Sequence, residues 1–282
     1  MTTAVELEVR PGLEARARAL DDRLRAVPSL IVAYSGGVDS AFLAVAATRI
    51  LGSRALCVTA DSPSYSERHR AIAVAVAREF ALRHEIIRTS ELEQPEYRAN
   101  APDRCYHCKH ELYTHLTALA RERGFAAVAD GSNADDRGDY RPGRRAAKEF
   151  GVVSPLDDVN LSKADIRTLA RDAGLPIWDE PASACLSSRV PYYSEVTDEK
   201  LRAIEQAEDA LRALGFRVVR VRHHGEIARV ELGQQEMARA TEPATATAIT
   251  QALTALGFRF VALDLKGYRL GSLNEGVRLR AV

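Results

Sequence analysis

Leu30-Ile31-Val32-Ala33-Tyr34-Ser35-Gly36-Gly37-Val38-Asp39-Ser40 is the stretch that decides the fold. Its five leading apolar residues predict a strand buried on both faces. The two glycines turn the chain, and residues 39–51 read as a helix. Such a turn presents an anion with backbone amides: glycine permits close approach, and a helix start favours negative charge. Ser35 and Ser40 add hydroxyl donors around Gly36, Gly37 and Val38. Asp39 is a poor direct phosphate ligand, so it is expected to work through Mg²⁺ or a backbone contact. No Lys follows the glycines, which excludes the G-x-x-x-x-G-K-[ST] loop.

Outward from this turn, strands and helices alternate. Residues 55–60 read as a strand, 66–82 as a helix, 84–87 as a weaker strand, 106–123 as a helix stopped by Gly124, and 125–129 as a fourth strand. Alternation with strands apolar on both faces implies an α/β fold, a parallel sheet with helices on both faces. Ligands of such sheets sit beyond the carboxyl ends of the strands. Asp61 and Ser62 follow the second strand, and Gly131, Asn133 and Asp135 follow the fourth. All five are candidate nucleotide contacts, although each segment alone is an ordinary polar turn.

Texture changes at 181–196, where Pro181, Pro191 and four serines suggest a linker or active-site loop. Thr197 can then cap a helix ended by Gly215. Residues 210–219 and 252–261 match at eight of ten positions, each reading as a helix end, a glycine stop and a strand start. Residues 227–232 supply an extra strand between them. The expected organisation is a nucleotide domain over 1–196 and a small α+β domain over 197–282.

Composition narrows the class. Lys+Arg and Asp+Glu both number 39, so the formal net charge is zero. A dedicated nucleic-acid binder would carry a basic excess, so no nucleic-acid partner is expected. No run of about 18 uncharged apolar residues exists, and no membrane span is expected. The first 25 residues are charged and Ala-rich, unlike a secretory leader, so a cytoplasmic location is expected. Four cysteines are too few for a disulfide scaffold. Cys105 and Cys108 form a C-x-x-C within Arg104-Cys105-Tyr106-His107-Cys108-Lys109. That spacing suits a metal, a cluster or a redox disulfide. Cys185 stands among serines beside Arg189, a position that suits a nucleophile. Three cysteines with one open position suit a [4Fe–4S] cluster with a non-protein fourth ligand, whereas Cys57, in mid-strand, reads as an inert core residue.

The glycine turn resembles the PP-loop of ATP pyrophosphatases, which cleave ATP to AMP and pyrophosphate. Together with the Cys105–Cys108 segment, the 181–189 loop, residues 227–231 and Asp264-Leu265-Lys266-Gly267-Tyr268-Arg269, it resembles the LarE family over nearly the whole chain. LarE proteins are the sulfur transferases of nickel-pincer cofactor synthesis. The resemblance implies ATP-dependent adenylation of the carboxylates of pyridinium-3,5-biscarboxylic acid mononucleotide, then replacement of AMP by sulfur. It also implies ATP and Mg²⁺ as cofactors, a trimer-based homo-oligomer and a possible external sulfur donor. One subtype sacrifices the sulfur of a cysteine matching Cys185. The other holds a [4Fe–4S] cluster on three cysteines, and the presence of Cys105 and Cys108 beside Cys185 favours it.

Such a substrate bears a phosphate, so cations are needed. A strand over 216–222 would put Arg220 and Arg222 on one face, suited to gripping a phosphate by forked hydrogen bonds or, alternatively, forming a solvated face. Arg189, Arg269 and Ser187 are further substrate candidates, and Lys109 is a candidate helper for the nucleotide. The enzymatic rival is a PP-loop tRNA thiolation enzyme, disfavoured by the zero net charge. A nucleotide-binding regulatory module would bind ATP without releasing pyrophosphate.

Overall fold

The computed structural model describes residues 12–138, 142–181 and 184–269. Ala182 and Ser183 of the 181–189 loop, and the ends of both expected domains, lie outside the described residues. In chain order the elements are α1 (Leu13–Arg25), β1 (Leu30–Ala33), α2 (Val38–Leu51), β2 (Ala55–Asp61), α3 (Glu67–Glu79), β3 (His84–Arg88), α4 (Pro95–Arg98), α5 (Arg104–Arg123) and β4 (Ala127–Ala129). They continue with α6 (Gly143–Glu149), α7 (Pro155–Asp158), α8 (Lys163–Asp172), α9 (Asp198–Ala213), β5 (Val219–His224), β6 (Ile227–Leu232), α10 (Met237–Ala240), α11 (Pro243–Thr254) and β7 (Phe260–Leu263).

Two compact units emerge. The first gathers the described residues of 1–61, 68–88 and 109–180. Its sheet runs β3-β2-β1-β4 with every pairing parallel. All four residues of β1 are buried, as an apolar run flanked by strands and covered by helices must be. Leu30, Val32, Leu43, Leu51, Leu161 and Ile166 belong to one core built from β1, α2, α8 and the turn before α8. Helix α2 contributes Ala41, Ala44, Ala46 and Ala47, small residues that let it lie close on the sheet. Helix α8 opens with a capping box, Ser162 and Asp165 each accepting from the other's backbone N–H. Because β2 and β4 flank β1 on opposite sides, the strand order reverses at β1/β4. In open α/β sheets that reversal opens the ligand crevice.

The second unit gathers 62–67, 89–108 and the described residues of 181–269. This grouping differs from a linear division at 196: two early segments and the 184–196 loop belong with the C-terminal sheet. Hydrogen bonds explain it. Asn100 Nδ2 donates to the carbonyls of Val190, Pro191 and Ser194, while Arg98 O accepts from Val196 N–H. The sheet of this unit runs β5-β6-β7, antiparallel then parallel. Both halves of the sequence echo take the same shape. Gly215 and Gly257 adopt φ of 87° and 96°, and the phenylalanine after each is buried. The strand from 227 is central between them, and Thr197 caps α9 by accepting from Lys200 N–H. Strand β5 begins three residues later than the expected 216, because Phe216 turns into the core first.

Candidate active site

The glycine turn is built by close approach. Gly36 has φ +69°, and a Cβ there would stand 2.8 Å from the Ala73 Cβ on α3. Gly131, after β4, abuts the start of α2: a Cβ would lie 2.9 Å from Ser40 N. Both glycines are therefore required by contact, and the Gly131 segment and the turn form one rim at the β1/β4 reversal. Within the turn, Ser35 and Ser40 hydroxyls lie 3.1 Å apart, Ser40 Oγ donates to Gly37 O, and Ser35 N–H donates to Ser40 Oγ. Val38 is buried at the first helical position.

Asp39 departs from a simple phosphate contact. Its Oδ2 accepts from Lys163 Nζ at 2.5 Å. Burial pushes the carboxyl above its usual range, against the opposing pull of Lys163. Its Oδ1 is buried without a hydrogen-bond partner. An oxygen left in that state is a fitting donor for a hard cation. Around it the second loop is self-ordered. Asn133 Oδ1 accepts from Asp135 N–H, and Asp135 Oδ2 accepts from Lys163 N–H. Asp130 accepts from Tyr113 and from the Ser132 and Ser154 hydroxyls. Lys109 stands 5.4 Å over the Tyr113 ring, one link from this carboxylate. Asp61 closes β2 and faces Arg70 at 3.6 Å.

Ser62 belongs to the second unit, where its hydroxyl donates to the buried Glu91, as do those of Ser64 and Thr89. In the same unit lie all three candidate sulfur residues. Cys105 is exposed, while Cys108 and Cys185 are half-buried. Cys185 precedes the short turn Leu186–Arg189. Arg189, 1% exposed, makes that turn from inside: its Nη1 donates to the carbonyls of Ala184 and Cys185 and to Ser188 Oγ. Its Nε and Nη2 pair with Glu208 at 2.8 and 3.2 Å. Ser187 is fully buried, its hydroxyl 2.6 Å from that of Tyr97. Both residues thus shape the loop that presents Cys185.

Arg220 and Arg222 are not on a solvated face: they are 7% and 6% exposed. Arg222 forks onto Glu231 at 2.7 and 2.8 Å and also donates to Ser188 O. Arg220 lies 5.1 Å over the Tyr268 ring; burial first, and Arg189 second, push its pKa down to about 10. Arg269 donates to Gly267 O and faces Asp264 at 3.5 Å. Cys57 is buried, its thiol pushed up to about 12 by burial, as an inert core thiol should be.

The donor set for a cluster is right in kind, three free thiols in one unit. Among the described residues no three His, Cys, Asp or Glu side chains are grouped to hold a single metal ion.

Sequence reasoning missed Lys163, Asp130, Tyr97, Glu208 and Glu231, while Arg104 was read only as a cation beside the Cys105–Cys108 pair. Lys163 had one usable signal: it is among only five lysines in a chain that otherwise uses Arg. Its link to Asp39 spans 124 residues, and no local pattern reports that.

Comparisons with known proteins agree with this geometry. The asparagine synthase family profile matches residues 13–135, the segment holding the glycine turn and the Gly131 rim. An uncharacterised protein of Synechocystis sp. is 42% identical over 93% of this chain and 98% of its own length. Pyridinium-3,5-bisthiocarboxylic acid mononucleotide synthase of Lactiplantibacillus plantarum is 34% identical over 93% of this chain and 95% of its own length. An uncharacterised protein of Methanocaldococcus jannaschii is 30% identical over 85% of the chain and 90% of its own length. Likeness at this level, end to end and through both units, makes the chain a member of the LarE family of ATP-dependent sulfurtransferases.

Proposed function

We propose that this enzyme converts the carboxylates of pyridinium-3,5-biscarboxylic acid mononucleotide to thiocarboxylates for nickel-pincer cofactor synthesis. The observation that carries the reading is the combination, in one chain, of an anion-binding glycine turn and a cysteine on an internally braced loop. A carboxylate is a poor acyl donor, and its mixed anhydride with AMP is a good one. The substrate carboxylate attacks the α-phosphorus of ATP and pyrophosphate leaves. Backbone amides at Gly36, Gly37, Val38 and Ser40, with the Ser35 and Ser40 hydroxyls, hold the phosphates. Mg²⁺, on Asp39, would offset their charge. Asp61, Ser62, Lys109, Gly131, Asn133 and Asp135 complete the nucleotide contacts.

Sulfur enters at Cys185. Its thiolate attacks the acyl-adenylate, forming the C–S bond of a thioester as AMP departs with the C–O bonding pair. In the sacrificial route the Cβ–S bond then breaks with loss of the α-proton, leaving dehydroalanine and thiocarboxylate. The favoured alternative assigns Cys105, Cys108 and Cys185 to a [4Fe–4S] cluster as sulfur carrier, a reading supported by the family resemblance and the C-x-x-C. Arg220, Arg222 and Arg269 are assigned to the anionic substrate, and Ser187 and Arg189 to the loop beneath it. A cytoplasmic, trimer-based homo-oligomer, recharged by an external sulfur donor, completes the proposal.

The test is anaerobic incubation, after treatment with iron and sulfide, with ATP, Mg²⁺ and the biscarboxylated mononucleotide. AMP, product mass and protein mass are measured. Thiocarboxylate with a chain lighter by H₂S indicates the sacrificial route. Thiocarboxylate with an intact chain supports a carried sulfur. Thiolated product only when tRNA is supplied would overturn the substrate assignment.

A further inference from the structure

Buried arginines in the second unit are paired with carboxylates in two cases: Arg189 with Glu208 and Arg222 with Glu231. Arg104 is different. It is 2% exposed, and its Nη1 donates to two neutral oxygens, Ser187 O at 2.9 Å and Asn100 Oδ1. Its Nε has no hydrogen-bond partner. No carboxylate lies within ion-pair distance among the described residues. The thiols placed beside it are Cys105, its neighbour in the chain, and Cys185, two residues before the Ser187 whose carbonyl it grips. A buried guanidinium without a counter-ion is costly unless an anion is supplied nearby. Here the available anions are sulfur species.

Arg104 also sits where two structures meet. It opens α5, whose first turns carry Cys105 and Cys108. Through Ser187 O it grips the loop two residues beyond Cys185. Asn100, itself fully buried with φ 55°, accepts from the same Nη1 and holds the far end of that loop by three carbonyls. The Tyr97 and Ser187 hydroxyls close the same brace.

We propose that Arg104 is a positioning residue of the sulfur site: it locks the Cys185 loop onto the turn carrying Cys105 and Cys108, and leaves there an uncompensated positive charge that draws small anionic sulfur species, of the hydrosulfide or thiocarboxylate class, to Cys185. The proposal rests on Cys185 as the point of sulfur transfer.

Its test reads charge at Cys185 directly. Iodoacetate is an anion and iodoacetamide is neutral, and both alkylate the same thiolate. The ratio of their rates at the Cys185 peptide, followed by mass spectrometry, is therefore indifferent to thiolate fraction and to loop exposure. Arg104→Gln keeps a donor for Ser187 O and removes the charge; Arg104→Lys keeps the charge and a donor and loses the planar guanidinium. The Gln variant is expected to lower the ratio about three- to tenfold, from the loss of one unit charge at short range in a partly buried site. The Lys variant should restore it. In turnover, Arg104→Gln should lower kcat for thiocarboxylate formation and leave KM for the mononucleotide unchanged. Carboxylate-dependent ATP–pyrophosphate exchange should persist. A ratio in Arg104→Gln equal to wild type overturns the proposal. If wild type itself makes no thiocarboxylate, the functional reading fails, while the alkylation ratio still decides the role of Arg104.

Discussion

At the scale of single residues, the nucleotide end is governed by contact and by one ion pair. Gly131 has no room for a Cβ against the backbone of Ser40. Gly131→Ala is therefore expected to push the rim off α2 and raise KM for ATP about tenfold, at a stability cost of about 1–3 kcal/mol. Steady-state kinetics and thermal melting check both. Lys163 offsets the burial of Asp39. Lys163→Met should raise the Asp39 pKa further, because desolvation then acts with less opposition. The rate of pyrophosphate exchange should consequently need higher pH to reach its plateau than in wild type, and an unchanged pH profile would refute the role given to Lys163. The turn itself was legible because its chemistry is local, six consecutive residues after an apolar strand. Lys163 and Asp130 were not, since what fixes them is a tertiary approach with no periodic signature.

At the scale of elements, buried ion pairs decide how Cys185 is presented. Glu208, on α9, lies under Arg189, Arg212 and the Val221 N–H. Burial would raise its carboxyl, but Arg189 foremost overrides that and holds it at about 2, below the usual 4.5. A depressed carboxylate stabilises the fold above its unfolded value and loses that contribution as pH falls toward the folded one. Stability should thus decline between pH 4.5 and about 2 by an amount on the order of 3 kcal/mol from this group. Glu208→Gln should cost about 3–5 kcal/mol at neutral pH by stranding Arg189, and its deficit should shrink as the pH is lowered through that window. Denaturant titration at pH 7 and pH 3 measures it. The sequence showed strand period and put Arg220 and Arg222 on one face. It could not show that the face is internal, because the carboxylate that pairs with Arg222 lies on β6 and the one acting on Arg220, Glu208, lies on α9, elements whose apposition is set by folding.

At the scale of the whole molecule, strand–helix alternation and the tail echo were enough to give both sheets. The grouping of residues 62–67 and 89–108 with the C-terminal sheet was not readable. It arises from side-chain bonds such as those of Asn100 to the 190–194 loop, which leave no trace in composition. Charge balance, by contrast, is a property of the whole chain. With equal acidic and basic totals, tRNA is expected neither to bind measurably at physiological salt nor to stimulate turnover, as filter binding and product analysis can establish. The most direct test of the account is a single turnover of Cys185→Ala beside wild type, with ATP, Mg²⁺ and the biscarboxylated mononucleotide. The account predicts that pyrophosphate exchange survives and that no thiocarboxylate forms. Thiocarboxylate appearing at the wild-type rate would contradict it.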